Sequence, residues 1–379
     1  MKRPALWLLL ALLLTGCSML AASTPPPKAT PSATAMATPS ATGRWSSAGS
    51  IPAAGEGQGL TVLKDGRVLV SGGFSEVGGP PEQTASLYDP ISNSWSAAAS
   101  LTTARANFTS TSLQDGKVLV AGGFGGDLHR TATAELYDPA SNRWLITGTM
   151  VVGRVNYAAA ALPDGRVLAV GGRIPTGPIA NAEIYDPVSG RWTAVPSMRS
   201  PRESPTATTL ADGRVLVTGG VTHDGIYLQA TTSAEIYDPL SSSWTTAASM
   251  RVARAGHTAS LLTTGNVLVA GNAGDEPDSA ERYDPALNHW SDTARMPSER
   301  RGGTAVRLVS GMVLELGGLQ GSAGGVETAD VYDAAGDRWF TAGLMDGLSG
   351  PVTAGLLGDG RVLVVASAGK TALYKPDGS

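Results

Sequence analysis

Short apolar runs bounded by turn-forming residues recur along this chain. Residues 65–73 read Asp-Gly-Arg-Val-Leu-Val-Ser-Gly-Gly. Near copies of this segment start at Asp115, Asp164 and Asp212, and weaker copies start at Thr264, Ser310 and Asp359. A run such as Val-Leu-Val is typical of a strand that is buried on both faces, and Asp-Gly suits a tight hairpin turn. The pattern therefore predicts repeated β-strands rather than helices.

Two aromatic positions recur with the same period. Tyrosine, usually followed by Asp-Pro, stands at positions 88, 137, 185, 237, 283, 332 and 374. Tryptophan follows seven residues later at positions 95, 144, 192, 244, 290 and 339. Because Asp-Pro stops a strand and begins a turn, the pattern predicts a third strand that ends at tyrosine and a fourth that begins at tryptophan.

The spacing of these positions predicts a closed ring. Each tryptophan lies 20 residues before the next Asp-Gly position, and Trp45 lies 20 residues before Asp65. The last repeat ends at Tyr374 without a tryptophan of its own, so Trp45 completes it from the other end of the chain. The span from Gly43 or Arg44 to Ser379 holds about 48 residues per repeat, close to a known propeller period.

Together, the Gly-Gly, tyrosine and tryptophan positions resemble those of the kelch-repeat β-propeller over residues 44–379. The resemblance implies an all-β, seven-bladed propeller with four antiparallel strands per blade, whose last blade is closed by the N-terminal strand containing Trp45. Closure in this way removes the open sheet edge that a linear array would leave exposed.

The N-terminal residues are predicted to direct and tether the protein. Residues 1–16 combine Lys2 and Arg3 with a short apolar run, as in a bacterial secretory signal peptide. Leu-Thr-Gly-Cys at residues 14–17 resembles a lipoprotein lipobox, which implies an acylated Cys17. Residues 17–43, rich in Pro, Ser, Thr and Ala, are predicted to be a disordered tether.

This arrangement predicts a protein anchored by lipid to the cell membrane or outer membrane, facing the periplasm or the exterior. Ser18 stands where an aspartate would resemble an inner-membrane retention signal, which favours an outer membrane where one exists. An ordinary signal peptide with an incidental cysteine is the alternative. The oligomeric state expected is a monomer.

Composition and charge exclude several functions. The net charge of -4 gives no basic footprint for nucleic acid. The single cysteine excludes an internal disulfide, a CxxC redox pair and a cysteine metal cluster. Neither a serine-nucleophile elbow, nor a Walker loop, nor a metalloprotease motif occurs. We therefore expect no cofactor and no metal site.

Length varies in only one connection of the repeat, between Gly-Gly and tyrosine. The distance from the Asp-Gly position to tyrosine ranges from 15 to 25 residues. Variable loops on one rim of a rigid scaffold are typical of a binding surface, although drift in exposed loops explains the variation equally well. The candidate ligand contacts in these loops are Asp127, His129, Arg130, His223, Asp224, Tyr227, Asp275 and Glu276.

Five blades carry an arginine ten residues before the Asp-Gly position and an acid two residues before tyrosine. The predicted pairs are Arg105 with Glu135, Arg154 with Glu183, Arg202 with Glu235, Arg254 with Glu281, and Arg300 with Asp330. Blades one and seven lack both members. An arginine ring at the channel mouth, suited to an anionic ligand, is the alternative, but the coincidence favours structural pairs within each blade.

If these arginines are structural, ligand contacts pass to residues just after them. The candidates are Asn107, Phe108, Asn156, Tyr157, Ser204, Gly256 and His257, together with Arg301, which has no second acid to match it. Similar positions in eukaryotic kelch propellers contact bound peptides, as the resemblance implies. These residues predict a non-catalytic propeller that binds a protein, peptide or glycan at the variable loops.

Two enzymes provide the catalytic alternatives. Galactose oxidase has a seven-bladed propeller whose copper needs two tyrosines, two histidines and a cross-linked cysteine, but this chain has no cysteine after Cys17 and no Tyr-His dipeptide. A copper-radical oxidase is therefore disfavoured. A sialic-acid epimerase (mutarotase) of the bacterial kelch type remains the enzymatic alternative. Its acid, base and anion-binding groups would come from Glu203, Glu299, His257 and Arg301.

Overall fold

The computed structural model describes residues 43–51, 55–76, 78–223, 227–272, 274–321, 324–345 and 347–377. Cys17, the predicted signal peptide, the tether up to residue 42 and Asp224 lie outside the described residues. One short 3-10 helix, Ser367–Gly369, accompanies the strands within these ranges. None of the helical structure described has the length or apolar character needed to cross a bilayer.

Seven four-stranded antiparallel sheets form the blades of a β-propeller, as predicted. The strands of blades one to three are Gly59–Val62, Val68–Ser71, Ala85–Asp89 and Ser94–Ala97; Thr109–Ser112, Val118–Ala121, Ala134–Asp138 and Arg143–Ile146; and Ala158–Ala161, Val167–Val170, Ala182–Asp186 and Arg191–Val195. Those of blades four to six are Thr206–Thr209, Val215–Thr218, Ala234–Asp238 and Ser243–Thr246; Thr258–Leu261, Val267–Ala270, Ala280–Asp284 and His289–Asp292; and Thr304–Arg307, Val313–Leu316, Thr328–Asp333 and Arg338–Leu344. Blade seven contains Val352–Leu356, Val362–Ala366, Lys370–Pro376 and Gly43–Ser50.

The N-terminal strand closes the ring. Gly43–Ser50 pairs antiparallel with Lys370–Pro376, and Trp45 lies opposite Tyr374. The first strand of blade one contacts the first strands of both blade two and blade seven, so the innermost strands form a continuous ring. Residues 43–377 therefore supply all four strands of every blade.

The repeated tyrosine and tryptophan are packing residues. In every blade their ring centroids lie 4.9–5.2 Å apart. Trp45 Nε1 donates to the Ala342 carbonyl of blade six at 2.9 Å, and Trp95 Nε1 donates to the Ala48 carbonyl of blade seven at 2.8 Å. Trp45 thus takes the place in blade seven that Trp95 takes in blade one.

The hydrophobic core lies between the blades rather than at one centre. Each neighbouring pair of blades encloses its own cluster of buried aliphatic and aromatic side chains. Between blades seven and one, for example, Val68 and Val70 pack with Leu363 and Val365. Because each blade covers its neighbours, a single blade has no complete core of its own.

The two ends of the channel differ in their connections. The Asp-Gly hairpins and the Tyr-Asp-Pro turns lie on one face, here called the Asp-Gly face. The Gly-Gly segments and the connections of variable length lie on the other, here called the variable face. On that face, four short two-stranded ribbons form. They pair Arg105–Ala106 with Phe124–Gly125, Arg173–Ile174 with Gly177–Pro178, Val221–His223 with Leu228–Ala230, and Leu319–Gln320 with Gly324–Gly325.

Candidate functional site

The variable loops are fastened to the mouth of the channel by backbone pairing. In blades three, four and six, the residue after the arginine of the predicted pair lies opposite the residue that follows Gly-Gly. Val155 pairs with Arg173, Glu203 with Val221, and Arg301 with Leu319. Each loop therefore starts from the same place in its blade, whatever its length.

All five predicted arginine–acid pairs are present as buried ion pairs within single blades. Neither partner exposes more than 3% of its side chain. Arg105 Nη2 lies 2.7 Å from Glu135 Oε1, and Arg300 Nη2 lies 2.6 Å from Asp330 Oδ2. The remaining pairs are Arg154 with Glu183, Arg202 with Glu235, and Arg254 with Glu281. The arginines are thus enclosed in the blades and do not line the mouth.

The guanidinium groups also bind the turn that Gly-Gly creates. Arg105 Nη1 donates to the Gly122 carbonyl at 3.0 Å, and Arg202 Nη1 donates to the Gly219 carbonyl at 2.9 Å. Gly122 has φ +62°, and a Cβ there would approach Tyr157 and the Arg154 carbonyl to 2.9 Å. Glycine is therefore required where the arginine of one blade and the backbone of the next converge.

The carboxylates complete the connection between blades. Glu135 accepts the backbone N–H groups of Thr102 and Thr103, at 2.7 and 3.1 Å. Glu183, Glu235 and Glu281 accept two such N–H groups each in the same way. The shorter Asp330 leaves its Oδ1 without a hydrogen-bond partner among the described residues. Four of the pairs therefore fix the segment that enters their blade.

A ring of left-handed residues surrounds the mouth two positions after the arginines. Asn107, Asn156 and Ser204 have φ of 53°, 51° and 52°, and Gly256 and Gly302 have φ of 62° and 69°. Glycine adopts positive φ freely and asparagine is enriched there, whereas Ser204 is an uncommon residue for this conformation. Four of the predicted contacts, Asn107, Asn156, Ser204 and Gly256, thus occupy positions that the backbone conformation constrains. The side chains of the first three are partly exposed at the mouth.

Backbone hydrogen bonds join this ring between particular blades. Asn107 N donates to the Gly57 carbonyl at 2.8 Å, which joins blades one and two. Ser204 N donates to the Asn156 carbonyl at 2.7 Å, which joins blades three and four. Gly302 N donates to the Gly256 carbonyl at 2.7 Å, which joins blades five and six. These bonds tie residues of the ring in neighbouring blades to one another.

The residues three positions after the arginines lie between blades, and this differs from the expectation that they face the mouth. Tyr157 is buried; its hydroxyl donates to the Ala121 carbonyl at 2.6 Å and lies 2.7 Å from Thr109 Oγ1. Burial raises the pKa of Tyr157 to about 12. Phe108 is half-buried and packs over Gly72 of blade one. The first glycine of Gly-Gly in the preceding blade has no side chain, and these aromatic rings occupy the space that it leaves.

His257 occupies the corresponding place between blades four and five. Its Nε2 lies 3.1 Å from Thr206 Oγ1 and 2.9 Å from Thr218 Oγ1. Burial lowers the pKa of His257 to about 3, with Arg254 and Arg202 adding to the effect. This histidine is therefore neutral at physiological pH and serves packing rather than ligand contact.

Glu315 provides the polar contact between blades five and six. Thr258 Oγ1 donates to Glu315 Oε1 at 2.7 Å, and the carboxyl is 1% exposed. Its strand position is opposite Asp330 of the third strand. Burial raises the pKa of Glu315 to about 8. Sequence reasoning missed this residue, although its place in an otherwise apolar strand, Val-Leu-Glu-Leu, is a signal.

A polar cluster lies at the mouth between blades three and four. Asn156 Nδ2 donates to Glu203 Oε1 at 2.9 Å, and Arg173 Nη1 donates to Glu203 Oε2 at 2.9 Å. The Glu203 side chain is 13% exposed and that of Arg173 is 34% exposed. Arg173 was not predicted as a site residue; the signal was its position directly after Gly171-Gly172.

Arg301 lies in a more open sector between blades five and six. Its backbone exchanges two hydrogen bonds with Leu319, at 3.0 and 2.8 Å. Its exposed side chain runs past Gly256, where a Cβ would lie 3.7 Å from the Arg301 Cγ. Among the residues that the structure describes, the Arg301 guanidinium has no acidic partner within salt-bridge distance. It is therefore available to a ligand.

The predicted contacts in the outer loops are strongly exposed. Asp127 and His129 expose 74% and 85% of their side chains, and Tyr227 is 70% exposed. The Arg130 guanidinium lies 5.7 Å from the centroid of the Phe124 ring. His223 ends the first strand of the blade-four ribbon. Asn272 Nδ2 donates a hydrogen bond to the backbone carbonyl of Asp275. The structure does not gather these residues into one pocket.

Glu276 belongs to an ion-pair network on blade five. Arg251 lies 2.9 Å and Arg295 lies 2.5 Å from its carboxylate oxygens, while Arg295 also binds Asp278 at 2.6 Å. Hydrogen bonds from Arg251, and then Arg295, lower the pKa of Glu276 to about 2. Glu276 and Asp278 are therefore engaged with arginines and hold the loop to its blade.

The described residues contain no group of three or more His, Cys, Asp or Glu side chains that could hold a metal ion. His257 is enclosed by threonines, His129 and His223 belong to separate outer loops, and His289 lies on the outer strand beside Trp290. The side chains at the mouth thus suit hydrogen bonding and ion pairing rather than metal ligation.

Comparison with known proteins identifies this architecture. The Kelch motif matches residues 104–150, 154–199 and 204–251, which cover much of blades two to four. The chain is therefore a seven-bladed β-propeller with Kelch motifs in blades two to four. No relative was found among the curated proteins.

Two solved structures share this fold. A fungal alcohol oxidase of the AA5 family, in complex with copper, has a TM-score of 0.71 at 18% identity, with 88% of this chain and 76% of the oxidase covered. The structure of YjhT has a TM-score of 0.61 at 13% identity, with 78% of this chain and 99% of YjhT covered. At these identities the likeness establishes the fold.

The described residues of this chain do not offer a set of donors for a copper ion like that of the oxidase. The only cysteine, Cys17, precedes the propeller. His257 places its Nε2 against two threonine hydroxyls, and Tyr157 uses its hydroxyl between blades. Copper sites need convergent nitrogen, sulfur or phenolate donors. The described residues therefore do not fit a copper site.

Proposed function

We propose that this protein is a non-catalytic binding propeller displayed at the bacterial cell envelope, which takes a protein, peptide or glycan ligand at its variable face. The observation that carries the proposal is the common attachment of unlike loops. Ribbons of different length begin beside the mouth, each paired to a rim that buried ion pairs and left-handed residues hold in place. Such a rim presents different side chains from one fixed frame.

The state of the acidic groups supports binding over catalysis. Glu203 is held by Asn156 and Arg173, and Glu276 is held by Arg251 and Arg295. General acid–base catalysis needs a group that exchanges protons with a substrate near the working pH. These carboxylates are instead fixed as hydrogen-bond acceptors, which suits recognition of hydroxyl and amide groups.

Display at the envelope is supported by the sequence before the propeller. The apolar run, the Cys17 motif and the Pro/Ser/Thr-rich segment together precede Gly43, where the first strand begins. Mass spectrometry of the native N-terminus checks this part of the proposal, with an acylated Cys17 as the expected result and an unmodified cysteine as the contrary one.

Arg301 identifies the first group of ligands to test. Its exposed guanidinium stands beside two glycines whose positions leave space for a ligand atom. Because guanidinium binds carboxylates in a bidentate manner, we expect a ligand that carries a carboxylate, such as an acidic sugar or an acidic peptide.

The test measures thermal stability against acidic and neutral glycans, peptidoglycan fragments and acidic peptides. A ligand at 100 times its dissociation constant stabilises the folded state by about 2.7 kcal/mol. We expect Arg301→Ala to abolish the shift that a carboxylate ligand produces. Arg191→Ala, at an exposed arginine on an outer strand, is the matched control and should retain it. Retention of the full shift by Arg301→Ala would remove this assignment.

A carbohydrate-active enzyme of the sialic-acid epimerase type is the second candidate. The observation in its favour is Glu203, which is partly exposed at the mouth beside the cationic Arg173. Turnover of an acidic sugar that stops in Glu203→Gln, with binding retained, would favour the enzyme. Binding without turnover in the parent protein favours the non-catalytic propeller.

A further inference from the structure

The Asp-Gly face carries a repeated apolar position that the fold does not use. Three residues after each tyrosine, six of the seven blades present an exposed apolar side chain. We call this set the apolar ring: Ile91, Ala140, Val188, Leu240, Ala286 and Ala335. Ile91 and Val188 are 95% exposed and Leu240 is 96% exposed.

The backbone holds these side chains away from the protein. The aspartate two residues earlier accepts the N–H of each ring residue, as Asp89 does for Ile91 at 2.9 Å and Asp238 does for Leu240 at 2.9 Å. The other four turns have the same hydrogen bond. The turn is therefore specified by aspartate, and any polar residue would satisfy the following position equally well. Isolated exposed aliphatic residues are ordinary, but recurrence at one repeat position calls for an external partner.

The arrangement of the ring selects a flat partner. Equivalent positions in successive blades are related by rotation about the channel axis, so they lie close to one plane perpendicular to that axis. Ile91, Val188 and Leu240 belong to blades one, three and four, so the three largest side chains of the ring lie along about half of its circumference. A small ligand touches one such position, whereas a planar surface touches them together.

The chain also enters the propeller at this face. Gly43 pairs with Pro376, next to the Asp-Gly end of blade seven, and the strand then runs towards the variable face. The 25 residues between Cys17 and Gly43 would have a root-mean-square span of about 30 Å if they form the tether that their composition predicts. A lipid anchor at Cys17 would therefore hold this face near the bilayer at an effective concentration on the order of millimolar.

Charge on the face agrees with a lipid partner of low net charge. The basic residue of each of these hairpins forms an ion pair with the aspartate of the same hairpin. Arg67 lies 2.6 Å from Asp65, and Arg214 lies 2.7 Å from Asp212. The same pairing occurs in the hairpins of blades two, three and seven. The turns also carry carboxylates, because backbone hydrogen bonds from Ile91 and Leu240 lower the pKa of Asp89 and Asp238. The face therefore suits a zwitterionic lipid surface rather than an anionic one.

We propose that the apolar ring is a membrane-docking surface, which rests the propeller on the bilayer with its variable face directed outwards. The proposal rests on the envelope display proposed above. The aliphatic side chains enter the interfacial layer, and the anchor makes even weak insertion sufficient.

The test uses residues 17–379, which contain every described residue, coupled through the single thiol of Cys17 to maleimide lipid in phosphatidylcholine vesicles. Leu240→Trp places a tryptophan in the ring. Leu228→Trp, in the same blade but on the variable face, is the matched control. Quenching by brominated lipid is measured for each, after subtraction of the signal from the coupled parent.

We expect at least twofold more quenching at position 240 than at position 228. Adding Ile91→Ser and Val188→Ser should reduce the quenching at 240, while the melting temperature stays unchanged because these side chains are exposed. Equal quenching at 240 and 228, or quenching at 240 that the serine substitutions do not change, overturns the proposal. Since coupling is chemical, the result is independent of native acylation and of ligand binding at the variable face.

Discussion

At the residue scale, the buried ion pairs combine two functions that separate residues usually perform. Arg154 donates to Glu183 and to the carbonyls of Gly171 and Asn181. Glu183 in turn accepts the N–H groups of the segment that enters the blade. Such a pair stabilises the fold because nearly every polar atom is matched, whereas a partner left alone is a buried, uncompensated charge.

This reasoning predicts the result of a double-mutant cycle. Arg154→Ala and Glu183→Ala should each lower the free energy of unfolding by about 3–5 kcal/mol, since each leaves the other charge buried. The double variant should lose less than the sum of the two, by more than 1 kcal/mol. Denaturant unfolding of the four proteins measures this coupling.

The exposed pair of Arg166 and Asp164 is the control, with side chains 35% and 47% exposed. Arg166→Ala should change stability by no more than about 1 kcal/mol, because solvent screens the pair. Additive losses in the Arg154 and Glu183 cycle would contradict a shared structural role.

Sequence reasoning anticipated the pairing but not the neighbours of the arginines. Each blade has either both the arginine and the acid or neither of them. This joint occurrence is what predicts that the two side chains pair. Phe108, Tyr157 and His257 share a position but not a chemical type, so nothing in their identity indicates burial. Their inward course follows from the missing side chains of Gly72, Gly122 and Gly219 in the preceding blades, a three-dimensional relationship.

At the element scale, threonines on the innermost strands connect neighbouring blades through different partners. Thr109 contacts the Tyr157 hydroxyl, Thr206 contacts His257, and Thr258 donates to Glu315. Gly303 has no side chain where Tyr157 and His257 stand in their blades. Glu315, from the next strand, supplies the polar partner between blades five and six instead.

Glu315 should make stability depend on pH. Its pKa is about 8 in the folded protein, against an ordinary value of 4.5. The contribution of the protonated carboxyl is complete below about pH 4.5 and is lost progressively as the pH rises to about 8. Glu315→Gln should therefore stabilise the protein at pH 8, by on the order of 3 kcal/mol, and have little effect at pH 4.

Thermal unfolding between pH 4 and pH 9 checks this expectation. Glu327→Gln, at an exposed position of the same blade, is the matched control and should follow the parent curve. A Glu315→Gln curve parallel to that of the parent would show that the carboxyl does not take up a proton on folding. Asp330 and Arg300, its charged neighbours, are unchanged in both variants.

The strands were predictable from sequence because local rules determine them. Asp-Gly determines the hairpin turn, Val-Leu-Val forms the buried strand, and Tyr-Asp-Pro ends the third strand in a turn. The four ribbons of the variable face were not predicted, because their strands are short and rich in glycine. Their position also depends on pairing with a residue that is distant in sequence, as Leu319 pairs with Arg301. The candidate contacts there were found as residues but not as a common pocket.

At the scale of the whole molecule, blade seven differs from the others. It combines strands from both ends of the described chain and, like blade one, lacks the arginine–acid pair. Its closure depends on Gly43–Ser50, in which Ala48 is fully buried and Trp45 packs on Tyr374 at 5.0 Å. Spacing alone predicted this closure, since Trp45 was the only tryptophan at the required distance that lacked a tyrosine before it.

Removal of the closing strand should weaken the entire ring. A chain that begins at residue 51 loses the burial of Trp45, which is worth about 3 kcal/mol, and exposes the edge of Lys370–Pro376. We expect a lower melting temperature and a less cooperative transition in calorimetry.

Grafting residues 43–50 after Asp377 through a short linker should restore the parent transition, because Gly43 and Pro376 are paired neighbours. The matched control carries the same graft with Trp45→Ala and should restore it only in part. Identical melting of the shortened chain and the parent would show that six complete blades and a three-stranded seventh are sufficient.

The residues with positive φ at the mouth are bonded to one another across alternate gaps between blades. Their backbone hydrogen bonds join blades one with two, three with four, and five with six. Other backbone bonds, such as Gly123 N to the Arg154 carbonyl and Gly318 N to the Gly350 carbonyl, join blades two with three and six with seven. Seven gaps cannot alternate evenly, so the two gaps on either side of blade seven both lack the first kind of bond among the described residues. The rim thus has no true rotational symmetry, even though its repeats are alike. A ligand that spans the opening meets seven inequivalent sectors and is held in one azimuthal orientation, which a perfectly sevenfold rim would not impose.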